Sequence, residues 1–367
     1  MKHENDRLSS GQQLAVFRLA ALAVTVGILP RIAARQAGRA AWLAPVLAAP
    51  ALWALGRVFG RLTDRGRRSY AAVCRERVGQ RTSAALYIIY ILWGLVLAGA
   101  VLRLSVQRLY WAGGWEAEHW LLPVLAAAAV WLVWGGLATF GRTAVLLCRG
   151  VEVCLALVLV LTVWQVRRTN LLPVWAGDAL PAARSGVTAL GLMCCGFYAA
   201  FLPGTEGTKK GEGHGWTLRC GWLCLLLTGT LAAVIGAQGA ELTGQLADPF
   251  LALSRHAGLE GAFQRIESLV CAAWLPADLV LMGLVIGACR ELAVCLRPRL
   301  SRRAAIFLPV AAVLIVAAGW FRDASAARVF CQRWLPLGGL VLFGLVPAFL
   351  LLVEGAAYLV GKRGKNK

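Results

Sequence analysis

Residues 24–30, VTVGILP, interrupt the first apolar stretch of the chain close to its midpoint. Gly27 loosens a helix at that point, and Pro30 removes one backbone donor while crowding the preceding turn. A second interruption, residues 194–197 (CCGF), lies near the middle of another apolar stretch, which ends at Pro203. We therefore predict that regular helix is lost near Gly27–Pro30 and again near Cys195–Phe197.

The two interrupted stretches belong to a series of apolar segments that fills the chain. Hydrophobic residues make up 59% of the sequence, charged residues only 15%, and the mean hydropathy is +0.67. Apolar runs of about 18 residues or more can each cross a hydrocarbon core of about 30 Å. The segments are Leu14–Ala34, Ala41–Leu62, Thr82–Val106, Trp120–Phe140, Ala144–Val166, Ser185–Leu202, Leu218–Glu241, Phe263–Leu292, Ala304–Phe321 and Leu335–Val360. We therefore predict an all-α membrane protein of about ten transmembrane helices.

We expect residues 1–367 to form a single transmembrane domain. It comprises a polar N-terminal tail (1–13) without the layout of a cleavable signal, a ten-helix bundle (14–360) and a basic tail (361–367). Lys and Arg are about twice as frequent in the connectors on the side of the two termini, which predicts that both termini are cytoplasmic. The arginines at the outer end of the first segment and just after it run against this trend; they are Arg31, Arg35 and Arg39.

The formal net charge of +20 does not indicate a nucleic-acid partner. The basic residues lie at segment ends and in short connectors, where they orient the chain against anionic lipid, and no basic stripe with interleaved aromatics occurs. Cys220 and Cys224 are four residues apart but lack the further ligands of a metal site. With no catalytic serine–histidine–acid arrangement and no dinucleotide motif, we expect neither an enzyme nor a cofactor.

The interruptions fall in the first and the sixth segments, five segments apart. That spacing is the one expected of a five-plus-five inverted repeat, in which interrupted helices leave backbone groups free for a ligand at mid-membrane. Glycine and proline are also common in membrane helices as kinks or close-packing sites, and either interruption alone is compatible with that role.

Several stretches, in their order and spacing, carry a resemblance to a known family. They are Ser10-Gly11-Gln12-Gln13, Gly27-Ile28-Leu29-Pro30, Ala41-Trp42, Asn170-Leu171-Leu172-Pro173-Val174 with Gly177, and Arg265-Ile266-Glu267 with Trp274. The chain resembles the spore germination permease family, the GerAB-like B subunits of endospore germinant receptors, in the amino acid–polyamine–organocation superfamily. It departs at Ser69-Tyr70, where a glutamate–tyrosine pair is usual, and at Val26, where a smaller neighbour is usual.

The resemblance implies a LeuT-type fold and recognition of a small germinant, typically an amino acid. It also implies an A-type subunit and a lipoprotein C-type subunit as partners in the inner membrane of the spore, and a sensor more than a pump. An amino-acid transporter of the same superfamily and a purely structural membrane subunit are the alternatives.

The candidate ligand site combines the two interruptions with three side chains. Asp278 lies within the eighth segment, where a carboxylate costs several kcal/mol unless paired or hydrated, although a locally bonded packing role is the alternative. Tyr90 and Trp93 belong to an aromatic stripe on the third segment, a pattern that is also typical of packing. We predict that a small zwitterion binds among Gly27, Ile28, Leu29, Cys195, Gly196, Phe197, Tyr90, Trp93 and Asp278. Glu152 is predicted to pair with Arg149, three residues before it on the same helix face.

Overall fold

The computed structural model describes residues 7–63, 68–113, 118–204, 212–256, 266–301 and 304–353. Arg265 of the Arg-x-Glu stretch and the predicted basic tail 361–367 lie outside these residues. Within them the chain is helical, and the only β-type pairing is an isolated bridge between Leu8 and Gly204.

The long helices are labelled here in chain order. They are α1 (Ser10–Ala37), α2 (Ala44–Leu62), α3 (Tyr70–Gly113), α4 (Glu118–Trp134), α5 (Leu137–Thr162), α6 (Ala179–Met193), α7 (Glu212–Gln238), α8 (Ile266–Leu296), α9 (Ala304–Ile315) and α10 (Ala324–Val353). Short α-helices are Arg168–Leu171, Ala240–Gln245 and Pro249–His256, and short 3-10 helices are Gly38–Leu43, Val163–Gln165, Ala176–Asp178 and Cys194–Phe201. Helix α3 is kinked at Gly79, whose φ is 80°, and π-helical turns occur at Val316–Trp320 and, within α10, at Phe330–Trp334 and Val341–Leu345.

These helices account for the predicted membrane segments. Seven helical stretches of the described chain are long and apolar enough to cross a membrane, and two shorter apolar helices accompany them. The first stretch, Ser10–Leu62, comprises both α1 and α2, so each of the ten predicted segments overlaps a labelled helix. The boundaries differ: the fourth predicted segment extends past Trp134 into α5, and residues 354–360 of the tenth lie outside the described residues. Hydropathy alone therefore located the elements of the bundle.

Helix α1 lies at the centre of the bundle. It contacts α5, α6, α7 and α8, and nearly all of its side chains between Leu14 and Pro30 are buried. A helix that is apolar on every face belongs in the interior, and its many alanines permit close approach of neighbouring backbones. The side chains that reach the centre of the protein therefore come mainly from the helices around α1.

The predicted loss of helix near Gly27–Pro30 is wrong. Helix α1 runs without interruption from Ser10 to Ala37 and includes Pro30. Proline removes only the single hydrogen bond to the carbonyl of Val26, while the turns on both sides stay bonded and packed on every face. The local signal for a break was therefore outweighed by the burial of the whole helix.

The second interruption is confirmed. After Met193 the α-helix gives way to the 3-10 helix Cys194–Phe201, and an extended turn follows at Leu202. The backbone N–H of Leu8 donates to the carbonyl of Pro203 at 2.9 Å, which attaches the chain before α1 to this turn. The irregular segment thus packs along the first half of α1.

Candidate functional site

A small cavity lies between α1, α3, α8, α10 and the connector that precedes Pro249–His256. About 30 Å³ of it is wide enough for water, which is room for one or two molecules. Its lining residues are Ala23, Val24, Gly27, Ile28, Val101, Leu104, Gln107, Arg108, Trp111, Ala247, Asp248, Asp278, Arg328 and Cys331. The lining combines apolar residues, mostly from α1 and α3, with charged residues from α3, α8, α10 and the connector.

Asp278 is the most deeply buried charged group at this cavity, with 1% of its surface exposed. Its Oδ2 accepts hydrogen bonds from Ser105 Oγ and from Arg108 Nη2, each at 2.7 Å. Its Oδ1 is also buried, yet it has no hydrogen-bond partner among the described residues. One carboxylate oxygen is therefore held by α3 and the other is left with its acceptor capacity unused.

Arg108 supplies the charge that permits Asp278 at this depth. Its side chain is 14% exposed, and one guanidinium nitrogen, Nη1, lies 4.0 Å from the position that a Cβ on Gly27 would occupy. A buried carboxylate loses its hydration and is tolerated when an opposite charge with good geometry replaces the lost water. The pair thus presents an unused acceptor and a donor side by side, next to the Gly27 face of α1.

A second polar group also lines the cavity. The Arg328 guanidinium donates to Gln107 Oε1 and lies 5.1 Å from the centre of the Trp111 ring. Asp248, whose Oδ1 accepts from the backbone N–H of Leu251 at 3.2 Å, belongs to the same group. Burial raises the pKa of Asp248, and the nearby Arg108 opposes that rise.

Three of the predicted site residues line this cavity: Gly27, Ile28 and Asp278. Leu29 is buried in the core and does not line it. Because α1 is a continuous helix, positions 23, 24, 27 and 28 share one face, and position 29 is turned away from them. Of the three residues predicted on α1, only Gly27 and Ile28 therefore lie on the face that lines the cavity.

The predicted residues of the sixth segment pack elsewhere. Cys195 Sγ lies 3.5 Å from the carbonyl of Ala20, and the Phe197 ring stacks on Phe59 with centroids 4.4 Å apart. A Cβ placed on Gly196 would lie 2.7 Å from the carbonyl oxygen of Phe17. These residues seal the interface between α1 and the 3-10 helix and do not reach the cavity.

The aromatic side chains of the third segment also contact other elements. The Tyr90 hydroxyl donates to the carbonyl of Leu342 at 2.5 Å, and Trp93 packs on Phe330 with centroids 5.4 Å apart. Neither ring lines the cavity. Both join α3 to α10, which is the packing role that their spacing also allowed.

Sequence analysis missed Ser105, Arg108 and Arg328. Ending the third segment at Val106 placed Arg108 in a connector, whereas α3 continues to Gly113. Ser105 and Arg108 are three residues apart and share a helix face, which is the one local signal of a joint role. The predicted Arg149–Glu152 pair is also corrected, because Glu152 on α5 pairs with Arg18 on α1, a contact that only the fold creates.

No group of three or more His, Cys, Asp or Glu side chains lies close enough to hold a metal ion in the part of the chain that the structure describes.

Comparisons with known proteins agree with this architecture. A family model described as spore germination protein matches residues 7–318. Among solved structures, Mhp1, a nucleobase-cation-symport-1 family transporter in a closed conformation with bromovinylhydantoin bound, is similar with a TM-score of 0.64 and 13% identity. The alignment covers 92% of this chain and 76% of that one. No curated protein sequence matches the chain.

At 13% identity the likeness to Mhp1 bears on the fold alone. It confirms the predicted LeuT-type fold, and with the apolar helices it makes the chain a multi-pass membrane protein.

Proposed function

The chain belongs to the spore germination protein family, and we propose that it is the membrane subunit of a spore germinant receptor that senses a small zwitterion, such as an amino acid. It works with A-type and C-type subunits in the inner membrane of the spore, with both of its termini in the cytoplasm, and has no catalytic role. The family and the transporter-type fold support this proposal, because both are typical of proteins that bind small molecules inside a helical bundle.

The observation that carries the proposal is the unused oxygen of Asp278 beside Arg108. An ammonium group at the cavity donates to Asp278 Oδ1, and a carboxylate accepts from Arg108 Nη1. The positive group that receives the carboxylate is then an arginine on α3 and not the N-terminus of a broken α1, since α1 is continuous. A buried polar group without a partner costs roughly 1–3 kcal/mol, and a ligand that satisfies it recovers that cost.

Binding at this site requires the helices to separate. The water-accessible space of about 30 Å³ is far below the roughly 300–1,000 Å³ of ordinary ligand pockets. A ligand therefore selects a conformation in which α1 or α10 has moved away from α3. Such coupling between occupancy and helix position is what a sensor needs in order to signal to partner subunits.

The test is germination of spores that carry Asp278→Asn, with an equimolar mixture of the twenty common amino acids as the probe. Losing one charged hydrogen bond of about 1.5–3 kcal/mol should raise the half-maximal concentration about tenfold or more. The control is Asp323→Asn, the same change at an exposed position before α10. A wild-type response from Asp278→Asn at normal abundance on immunoblots would refute the proposed site.

Two further measurements address the assembly. Affinity purification of the tagged chain from spore membranes should recover an A-type and a C-type subunit. A reporter that works only in the cytoplasm should be active when it is fused after Lys367, and a reporter that works only on the outer face should be inactive there. The opposite result would contradict the orientation.

A further inference from the structure

Arg31 is a cation without a counter-charge. It follows Gly27 by one helical turn on α1, so it lies on the same helix face beyond the cavity. Its Nε is buried and donates to no acceptor, and its guanidinium has no hydrogen bond or ion pair within the described residues. The side chain is half-buried, so water does not surround it fully.

The charged groups that influence Arg31 are themselves cations. Arg35 and Arg328 both lie within electrostatic range of it. Each of these has compensation that Arg31 lacks: Arg35 Nε donates to the carbonyl of Gly244 at 2.6 Å, and Arg328 is attracted by Asp248. Arg31 thus has two positive neighbours and no acceptor of its own.

Two of the three arginines each line a space in the protein. Arg328 lines the central cavity, and Arg35 lines a shallow pocket of about 310 Å³ formed with Gly38, Glu241 and the short helix Ala240–Gln245. Arg31 follows Gly27, which lines the cavity, by one helical turn of α1, and it precedes Arg35 by another. Along α1, Arg31 and Arg35 therefore follow directly on the Asp278 cavity, which Arg328 itself lines.

An unpaired half-buried cation beside two like charges is costly. Burial of a charge is tolerated when an opposite charge and hydrogen bonds replace its hydration. A guanidinium fork suits the paired oxygens of a carboxylate or phosphate group. We propose that Arg31, Arg35 and Arg328 form an anion-binding site that holds one carboxylate or phosphate-type group at the outer end of the cavity.

Three sources share this chemistry: an inorganic phosphate ion, the side-chain carboxylate of an acidic amino acid, and the phosphate of an anionic lipid. An anion can bind the cluster whether or not the Asp278 cavity binds a germinant, so the site goes beyond the receptor function.

The test is thermal unfolding of the purified full-length chain in neutral detergent, at constant ionic strength. Each anionic probe has a neutral or monovalent match: sodium phosphate against sodium chloride, L-glutamate against L-glutamine, and phosphatidylglycerol against phosphatidylcholine. At least one anionic probe should raise Tm more than its match, and the arm in which it does so identifies the source. Arg31→Gln should abolish that difference, and Arg31→Lys should retain part of it.

Two controls separate an anion site from general effects. Arg39→Gln, the same change at an exposed arginine just beyond α1, should keep the full anion effect. Without added anion, Arg31→Gln should unfold at or above the wild-type Tm, because it removes an unpaired charge.

The site is refuted if no anionic probe raises the Tm of the wild type more than its match does. It is also refuted if the anionic probe raises the Tm of Arg31→Gln as much as that of the wild type. Asp278→Asn should leave the anion effect unchanged. A failure of the germinant site and a failure of the anion site are therefore observed separately.

Discussion

At the scale of single residues, the centre of the protein depends on one charge pair between helices that are distant in sequence. Asp278 and its partner Ser105 are separated by 173 positions, and Arg108 joins them through a 2.7 Å contact. Each member is costly alone, because a buried charge that has lost its partner costs about 3–5 kcal/mol. The pair is therefore a structural requirement as well as a binding group.

This coupling predicts how the single and double variants differ in stability. Arg108→Gln and Asp278→Asn should each lower the Tm of the purified protein, since each leaves one buried charge unpaired. The double variant removes both charges and should recover most of that loss. Double-mutant analysis of thermal unfolding measures the coupling, and a double variant whose loss equals the sum of the two single losses would contradict a direct pair.

Asp278 was found from the sequence because a carboxylate within an apolar segment is conspicuous. Arg108 was not, because it lies beyond the apolar core of its segment, and only the fold brings it to α8. Ser105 is an unremarkable residue until its hydroxyl is seen 2.7 Å from Asp278. The local pattern thus identified the buried carboxylate, whereas the arginine and the serine that offset its loss of hydration could be identified only from tertiary contacts.

At the scale of elements, the two interruptions predicted from similar signals behave differently. The 3-10 helix Cys194–Phe201 replaces an α-helix where Gly196 approaches the backbone of Phe17, whereas α1 passes through Gly27 and Pro30 intact. A glycine or a proline marks a position where regular α-helix can be lost. Whether it is lost depends on the packing around that position, which hydropathy and composition do not encode.

The continuity of α1 predicts that Pro30 is dispensable for ligand sensing. Pro30→Ala supplies an N–H for the carbonyl of Val26 and removes the crowding of the preceding turn, so abundance should equal or exceed that of the wild type. Spores carrying this variant should keep a wild-type germinant response within about twofold. Loss of the response at normal abundance would show instead that the site needs a free carbonyl in α1.

The close approach at Gly196 predicts a packing defect. An added methyl group would meet the Phe17 ring at 2.6 Å and its carbonyl oxygen at 2.7 Å, so the two segments must move apart. We expect Gly196→Ala to lower the free energy of unfolding by about 1–3 kcal/mol through overpacking, and with it both Tm and membrane abundance. Gly150→Ala on α5 is the matched control, because no atom lies within 4 Å of its added carbon. Equal stability of the two variants would contradict the close contact.

At the scale of the whole molecule, contacts between distant helices hold the bundle together around the cavity. Arg328 contacts Gln107 and Trp111 at the cavity, and the attachment of Leu8 to Pro203 together with the Arg18–Glu152 pair holds the first half of α1. Ten apolar segments could be predicted from the sequence, but these contacts could not, since they form only when the helices pack.

The central claim is that an amino acid binds at the Asp278–Arg108 pair. The most direct measurement is thermal unfolding of the purified chain with each of the twenty common amino acids, compared with the Arg108→Gln/Asp278→Asn double variant. A ligand at about 100 times its Kd stabilises the folded state by about 2.7 kcal/mol. Aspartate and glutamate are set aside in this comparison, because their side-chain carboxylates can also bind the Arg31 cluster. We predict that at least one of the other eighteen amino acids raises the Tm of the wild type and that none of them raises that of the double variant. If none of the eighteen stabilises the wild type, or if the same one stabilises both proteins equally, the claim is contradicted.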